Sequence, residues 1–285
     1  MNFKLNTLVA AALLVAAGSA NAAMSGAASG NGELLVNFIS QGGTSATAGG
    51  DDMSAVFDLG VGMNDFLLNN GVAGYTQTWS LTTANYGSAW NDLLAFSAND
   101  AAIEFNVIAL DNVNTRYLTT NKVTTYTSLT NANLGGFQNM DQYVTANNLR
   151  GTHVTDANGA STALATDPAN SYFRAVNGAT QGDTWLTKTS DTTQILATAQ
   201  NFWSLSVGAG GASSQANKVA FGYDVDGSGS IGTGEFGQWS VNLALGTVTY
   251  ANPAAAVPEA STYGMMLAGL GLVGFMTRRR MNRAA

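Results

Sequence analysis

The sequence predicts a mainly β protein, a single antiparallel β-sandwich or jelly-roll-like body with a few short helices, and three observations lead there. The stretch between the two chain ends is rich in Gly, Asn, Thr, Ser and Ala and poor in Lys and Glu, with 33 glycines in 285 residues. That composition disfavours long helices and suits strands joined by glycine turns. Apolar residues alternate over strand-length runs. No segment recurs at a fixed period, which removes solenoids and propellers.

The first element is not part of that body. "MNFKLNTLVAAALLVAAGSANAA" carries one positive charge at Lys4, an apolar stretch from Leu8 to Ala17, and a small-x-small site at Ala20-Asn21-Ala22. This is the layout of a secretory signal peptide over residues 1–22, with cleavage after Ala22 or Ala23. The exported body then spans 23–256, and a distinct segment, 257–285, closes the chain.

Within the body, "GELLVNFIS" and "MSAVFDLG" read as the first strands. "AAIEFNVIAL" sets Ile103, Phe105, Val107 and Ala109 on one face, with Glu104 and Asn106 opposite, where a solvated carboxylate is expected. "GVGMNDFLLNNG", "GSAWNDLLAFS" and "GGFQNMDQYVTANNLRG" have the apolar spacing of short helices. "NTRYLTTNKVTTYTSLTNAN" fits either strands or an exposed loop. Late in the chain, "FWSLSV", "KVAFGY", "QWSVNLAL" and "TVTYA" are strand-length runs, the last two turned at Leu245-Gly246-Thr247.

Charge and side-chain inventory exclude several functions. Outside the terminal segments only 6 basic residues face 17 acidic ones, with no basic cluster, so a nucleic-acid partner is not expected. The chain has no cysteine, which removes disulfides, thiol catalysis and lipidation through cysteine. Its one histidine, His153, falls in "RGTHVTDANG" and reads as a surface or hydrogen-bonded loop residue. No enzyme is expected. The body's only glutamates are Glu33, Glu104 and Glu235, and a glycan hydrolase, the least favoured reading, needs two carboxyls across one cleft.

"FGYDVDGSGSIGTGEF" is the most specific local motif of the body. Asp224, Asp226, Ser228 and Ser230 occupy alternate positions 1, 3, 5 and 7, Gly229 sits at 6, and Glu235 at 12. Oxygen donors at that spacing, a sharp turn at 6 and a carboxylate at 12 resemble the EF-hand calcium loop, with strand-like flanks in place of helices. Calcium is the one cofactor this suggests; the alternative is a polar glycine turn without an ion. Trp79, Trp90, Trp185, Trp203 and Trp239 offer stacking surfaces for sugars, although aromatics on β-sheets are more often core. A calcium-stabilised carbohydrate-binding module is therefore the alternative function.

The closing segment, "VPEASTYGMMLAGLGLVGFMTRRRMNRAA", holds an apolar run of 14 residues from Tyr263 to Met276, then four arginines, Arg278, Arg279, Arg280 and Arg283. As a helix the run is about 21 Å long, against a hydrocarbon core of roughly 30 Å. Snorkelling arginines bring it near the lower limit for a transmembrane helix, and they set the C-terminus on the cytoplasmic side. Val257-Pro258-Glu259, the apolar run and the Arg cluster together resemble the PEP-CTERM sorting signal of Gram-negative bacteria, a segment also known as the ice-binding protein C-terminal domain. Ala260 stands where that family usually has a second proline.

The resemblance implies an exosortase-type membrane enzyme as partner, transient residence in the inner membrane, and delivery to the cell surface or extracellular matrix, often in biofilm-forming species. It implies no activity for the body. The expected function is accordingly a structural or adhesive exported protein, with extracellular polysaccharide as a further candidate partner.

Overall fold

The computed structural model describes residues 23–26, 29–41, 52–97, 103–121, 130–132, 134, 140–164, 194–255 and 260–281. Among these residues eleven strands form a single curled antiparallel sheet, where the sequence led us to expect the two facing sheets of a sandwich. They are β1 (Glu33–Gln41), β2 (Asp52–Gly62), β3 (Thr76–Ser80), β4 (Ile103–Asp111), β5 (Arg116–Asn121), β6 (Ala160–Leu164), β7 (Gln194–Ile195), β8 (Gln200–Ser206), β9 (Asn217–Ala220), β10 (Gln238–Asn242) and β11 (Thr247–Ala251). The order across the sheet is β3-β11-β10-β8-β5-β4-β1-β2-β6, with β7 beside β4 and β9 beside β8. Alternation reports which residues share a face, but it carries no information on whether a strand joins one sheet or a second one.

Both faces of the central strands are buried, which accounts for the departure. Leu34, Val36 and Phe38 of β1, Phe105 and Val107 of β4, Leu118 of β5 and Phe202 of β8 point into one core. The intervening residues Leu35, Ile39, Ile108, Tyr117, Trp203 and Leu205 enter a second core on the opposite face. Ile103, Phe105, Val107 and Ala109 do share a face, as their spacing requires. The opposite face of β4 is not a solvated one, however. Glu104 is half-buried, and Asn106 is fully buried, its Oδ1 accepting from Asn37 Nδ2 at 3.0 Å.

Among the described residues, three helices dress the sheet. α1 (Met63–Leu67) and α2 (Ala89–Phe96) pack on the first face, while α3 (Met140–Asn147) covers the second. All three fall where the apolar spacing placed them. α1 delivers Phe66 between Trp239 (5.6 Å between centroids) and Phe202 (5.7 Å). α2 sets Trp90 edge-on against Phe38 at 5.3 Å. On the second face Tyr143 of α3 donates to Asn37 Oδ1 at 3.1 Å, so the buried amides are paired instead of stranded. His153 lies in a 3-10 turn and is buried, not at the surface; burial pushes its pKa down to about 4.

α4 (Ala260–Met281) forms a helix at the C-terminal segment. Among the described residues no helix is long and apolar enough to cross a membrane. The reason is in its sequence: four glycines dilute the apolar run, and Arg278, Arg279 and Arg280 follow it after a single threonine. Met265, Leu267, Leu270 and Phe275 are exposed, and α4 packs on neither core.

Candidate functional site

The candidate cation loop grows out of an interrupted strand. β9 and β10 lie one after the other along the same edge of β8, with Ala220 opposite Trp203 and Gln238 opposite Asn201. Phe221 continues the line through its N–H to the Phe202 carbonyl at 2.9 Å. Between them residues 222–237 leave the sheet and return, forming a compact loop with adjacent ends. The Gly237 N–H donates to the Phe221 carbonyl at 2.7 Å, and Tyr223 N–H to the Glu235 carbonyl at 3.0 Å, closing the neck.

Two neck positions require glycine. A Cβ at Gly222 would sit 2.1 Å from the Glu235 carbonyl oxygen, and one at Gly237 would sit 1.9 Å from Tyr250 Oη. A turn 150 residues upstream holds the loop's base: Asn70 Oδ1 accepts from Gly222 N–H at 3.0 Å, and Gly71 N–H donates to the Gly222 carbonyl at 2.9 Å. Nothing in local spacing signals this anchor, because it exists only once the chain has folded.

The loop brings three of the five candidate ligands together. Carboxylate oxygens of Asp224, Asp226 and Glu235 lie within 4.8 Å of one another. Each is held by loop N–H groups. Asp224 Oδ1 accepts from Ser228 (3.0 Å) and Oδ2 from Gly229 (2.6 Å), and Asp226 Oδ1 accepts from Ser228 (2.9 Å). Glu235 is buried; its Oε1 takes the N–H groups of Val225 (2.8 Å) and Asp226 (3.1 Å), and its Oε2 that of Gly232 (2.7 Å). The Ser228 N–H holds the Asp226 carboxyl below the usual carboxylate range.

Ser228 and Ser230 are instead engaged with each other, Ser228 Oγ donating to the Ser230 carbonyl at 3.1 Å. Three like charges this close repel, and the backbone N–H groups offset part of that cost. The arrangement could hold a divalent cation through the lone pairs left over. Beside it a groove of about 500 Å³ runs between the loop and β9, lined by Lys218, Tyr223, Asp224, Ser230 and Ile231 with Asn70.

A second pair of carboxyls, which the sequence does not reveal, meets across β1 and β2. Asp58 stands opposite Leu35 and Glu33 opposite Gly62, with a register shift between them, and the Glu33 side chain lies beside that of Asp58. Asp58 is fully buried; its Oδ1 accepts from Gly60 N–H at 2.8 Å, and its Oδ2 has no donor. Burial first, then the Glu33 charge, pushes its pKa up to about 8. Glu33 also receives the Ser25 N–H, while its own N–H donates to the Ser25 carbonyl at 3.0 Å. The pair therefore sits beneath the segment that begins the described chain, not in an open cleft of the kind glycoside hydrolysis requires.

At the C-terminal segment, Val257, Pro258 and Glu259 lie outside the described residues, as does the Arg280 side chain. Arg278 and Arg279 are exposed on α4. The family model described as the PEP-CTERM protein-sorting motif matches residues 256–280. The chain carries a PEP-CTERM sorting motif. Its match spans the Pro-Glu box, the apolar run and Arg278–Arg280, and Ala260 in place of a second proline does not abolish it. The PEP-CTERM motif implies export, an exosortase as processing partner and a C-terminal signal read near the membrane. No curated protein and no solved structure matches the chain.

Proposed function

We propose that this protein is a non-enzymatic structural or adhesive component of the cell surface or extracellular matrix, delivered there by exosortase processing of its PEP-CTERM segment. The match of residues 256–280 carries this reading. α4 has too little apolar length to serve as a lasting anchor, so its role is a transient engagement at the inner membrane with the arginines on the cytoplasmic side. Among the described residues the exposed large hydrophobic side chains of the body include no aromatic ring. Trp90, Trp203 and Trp239 are interior, which favours a structural body over one that stacks sugars.

The sorting proposal is tested by replacing Arg278, Arg279, Arg280 and Arg283 with Gln in the full chain. Surface-exposed protein should fall and unprocessed precursor should accumulate. Normal surface levels of normally sized protein would refute it.

For the loop we propose calcium as a structural staple, supported by the three carboxylates within 4.8 Å. With only three charged ligands the affinity is expected in the range of about 10⁻⁴–10⁻³ M. A hundredfold excess over the dissociation constant should add on the order of 2.7 kcal/mol of stability. Asp226→Asn is the clean variant, since Asp226 is exposed and Asn retains the oxygen that accepts from Ser228. It should abolish the calcium-dependent rise in melting temperature while leaving the calcium-free melt unchanged. Glu235→Gln is less informative because the Glu235 carboxylate itself ties three loop N–H groups. A full-chain melt indifferent to millimolar calcium would return the loop to a self-capped polar turn.

A further inference from the structure

The two ends of the sheet differ. At one end β6 is packed by α2 and by the 3-10 turn Gly151–Val154. At the other, β3 pairs with β11, and no described strand joins its outer edge. Hydrogen bonds flanking β3 show which of its groups face outward. Asn252 N–H donates to the Tyr75 carbonyl and Leu81 N–H to the Gly246 carbonyl, both at 2.8 Å. Antiparallel ladders alternate, so Tyr75, Gln77, Trp79 and Leu81 bond toward β11, and Thr76, Thr78 and Ser80 aim their N–H and C=O groups at the open edge.

The strand lacks the devices that protect exposed edges, having no charge, no proline and no bulge. Its inward side is also incompletely covered. Trp79 is half-buried, although it stacks at 5.3 Å on Trp239, which is fully buried one strand further in from β11.

We infer that β3 is a dimerisation edge, pairing antiparallel with β3 of a second copy of this chain about a two-fold axis at Thr78. The register follows from the outward groups: Thr78 faces the partner's Thr78, and Thr76 faces the partner's Ser80, so every outward N–H meets an outward C=O. The strand is self-complementary in that register. On the outer face each pair is hydroxyl to hydroxyl, the same contact that Thr78 Oγ1 already makes with Thr249 Oγ1 at 2.9 Å. On the inner face Gln77 lies opposite the partner's Trp79 and covers its half-open side. No like charges meet, because the strand has none. A five-residue edge makes a small interface, so association is weak and depends on local concentration. It is isologous and stops at two.

The chain has no cysteine, so a single introduced thiol reports the register directly. Directly opposite residues in a hydrogen-bonded antiparallel pair have Cα atoms about 5.5 Å apart, within disulfide reach. Full-length Thr78→Cys in mild detergent should therefore oxidise to a covalent dimer. Ser240→Cys lies on the same outer face two strands in, about 24 Å from its counterpart at the usual strand spacing, and should stay monomeric under the same oxidation. Thr78→Lys and Thr78→Glu, folded by circular dichroism, should each lose self-association, and an equimolar mixture should regain it. Failure of Thr78→Cys to cross-link, equal cross-linking of Ser240→Cys, or self-association unchanged by Thr78→Lys would each overturn the inference. The last two would place any dimer contact elsewhere, on α4 for instance.

Discussion

Trp239→Ala is expected to destabilise the protein by about 3–5 kcal/mol, near the top of the range for a single core truncation. Trp239 is fully buried and joins four rings: Phe66 stacked at 5.6 Å, Trp79 stacked at 5.3 Å, Tyr250 at 5.2 Å and Phe202 edge-on at 5.5 Å. These come from α1, β3, β11 and β8, so the indole is where the first helix and the last strands of the body meet. Removing it opens a cavity that four separately anchored elements cannot close together. At roughly 2–4 °C per kcal/mol for a domain of this size, the melting temperature should fall by about 6–20 °C. Trp239→Phe should cost much less, since one ring remains and the buried indole N–H has no acceptor to lose. A melt for Trp239→Ala within two degrees of wild type would show that this cluster is not what holds the late strands to α1.

Asp58→Asn should flatten the pH dependence of stability. Burial and the facing Glu33 raise the Asp58 pKa from an ordinary carboxylate value to about 8. Between about pH 4 and pH 8 the folded protein therefore keeps a proton on Asp58 that the unfolded chain has released. Stability falls with rising pH wherever the native state binds more protons, so this group's contribution declines across that window and levels off above about 8. The other titratable group facing it is Tyr86, whose hydroxyl donates to the Asp58 carbonyl at 2.6 Å and whose own pKa is raised by burial and by Asp58. Asn at 58 can still accept from Gly60 N–H and can donate to Glu33 at every pH. Denaturant melts from pH 4 to pH 9 should show wild type losing stability and the variant losing far less, the gap widening to about pH 8. Parallel curves would mean that the folded protein does not hold a proton on Asp58 across that window. Because Glu33 also holds Ser25, hydrogen exchange at Ser25 should quicken with pH in wild type beyond the intrinsic rate, and less so in the variant.

Some of this was legible in the residues alone because the information is local. Helix spacing in "GSAWNDLLAFS" appears as α2, and Gly246, with φ of +59°, closes the β10–β11 turn where the glycine stands. The 12-position loop places Asp224, Asp226 and Glu235 together, since its spacing encodes its own curvature. Ser228 and Ser230 stand at ligand spacing, yet Ser228 Oγ turns to the Ser230 carbonyl: a sequence shows oxygens but not what they face. Glu33 and Asp58, 25 residues apart, gave no signal, because their meeting depends on the pairing of β1 with β2.

By itself the sequence determined the sorting motif, since such a signal is read as a short linear segment and needs no folded body to exist. It also determined which residues of each strand share a face, a consequence of the two-residue period of extended chain. Only the tertiary structure decided that eleven strands join one sheet, that both its faces are buried, and that β3 is left with an open edge. Those outcomes depend on the order in which distant strands pair. A strand's own residues do not specify its neighbours, since backbone hydrogen bonds are the same for every partner and the choice falls to side chains that meet only after the chain has closed on itself.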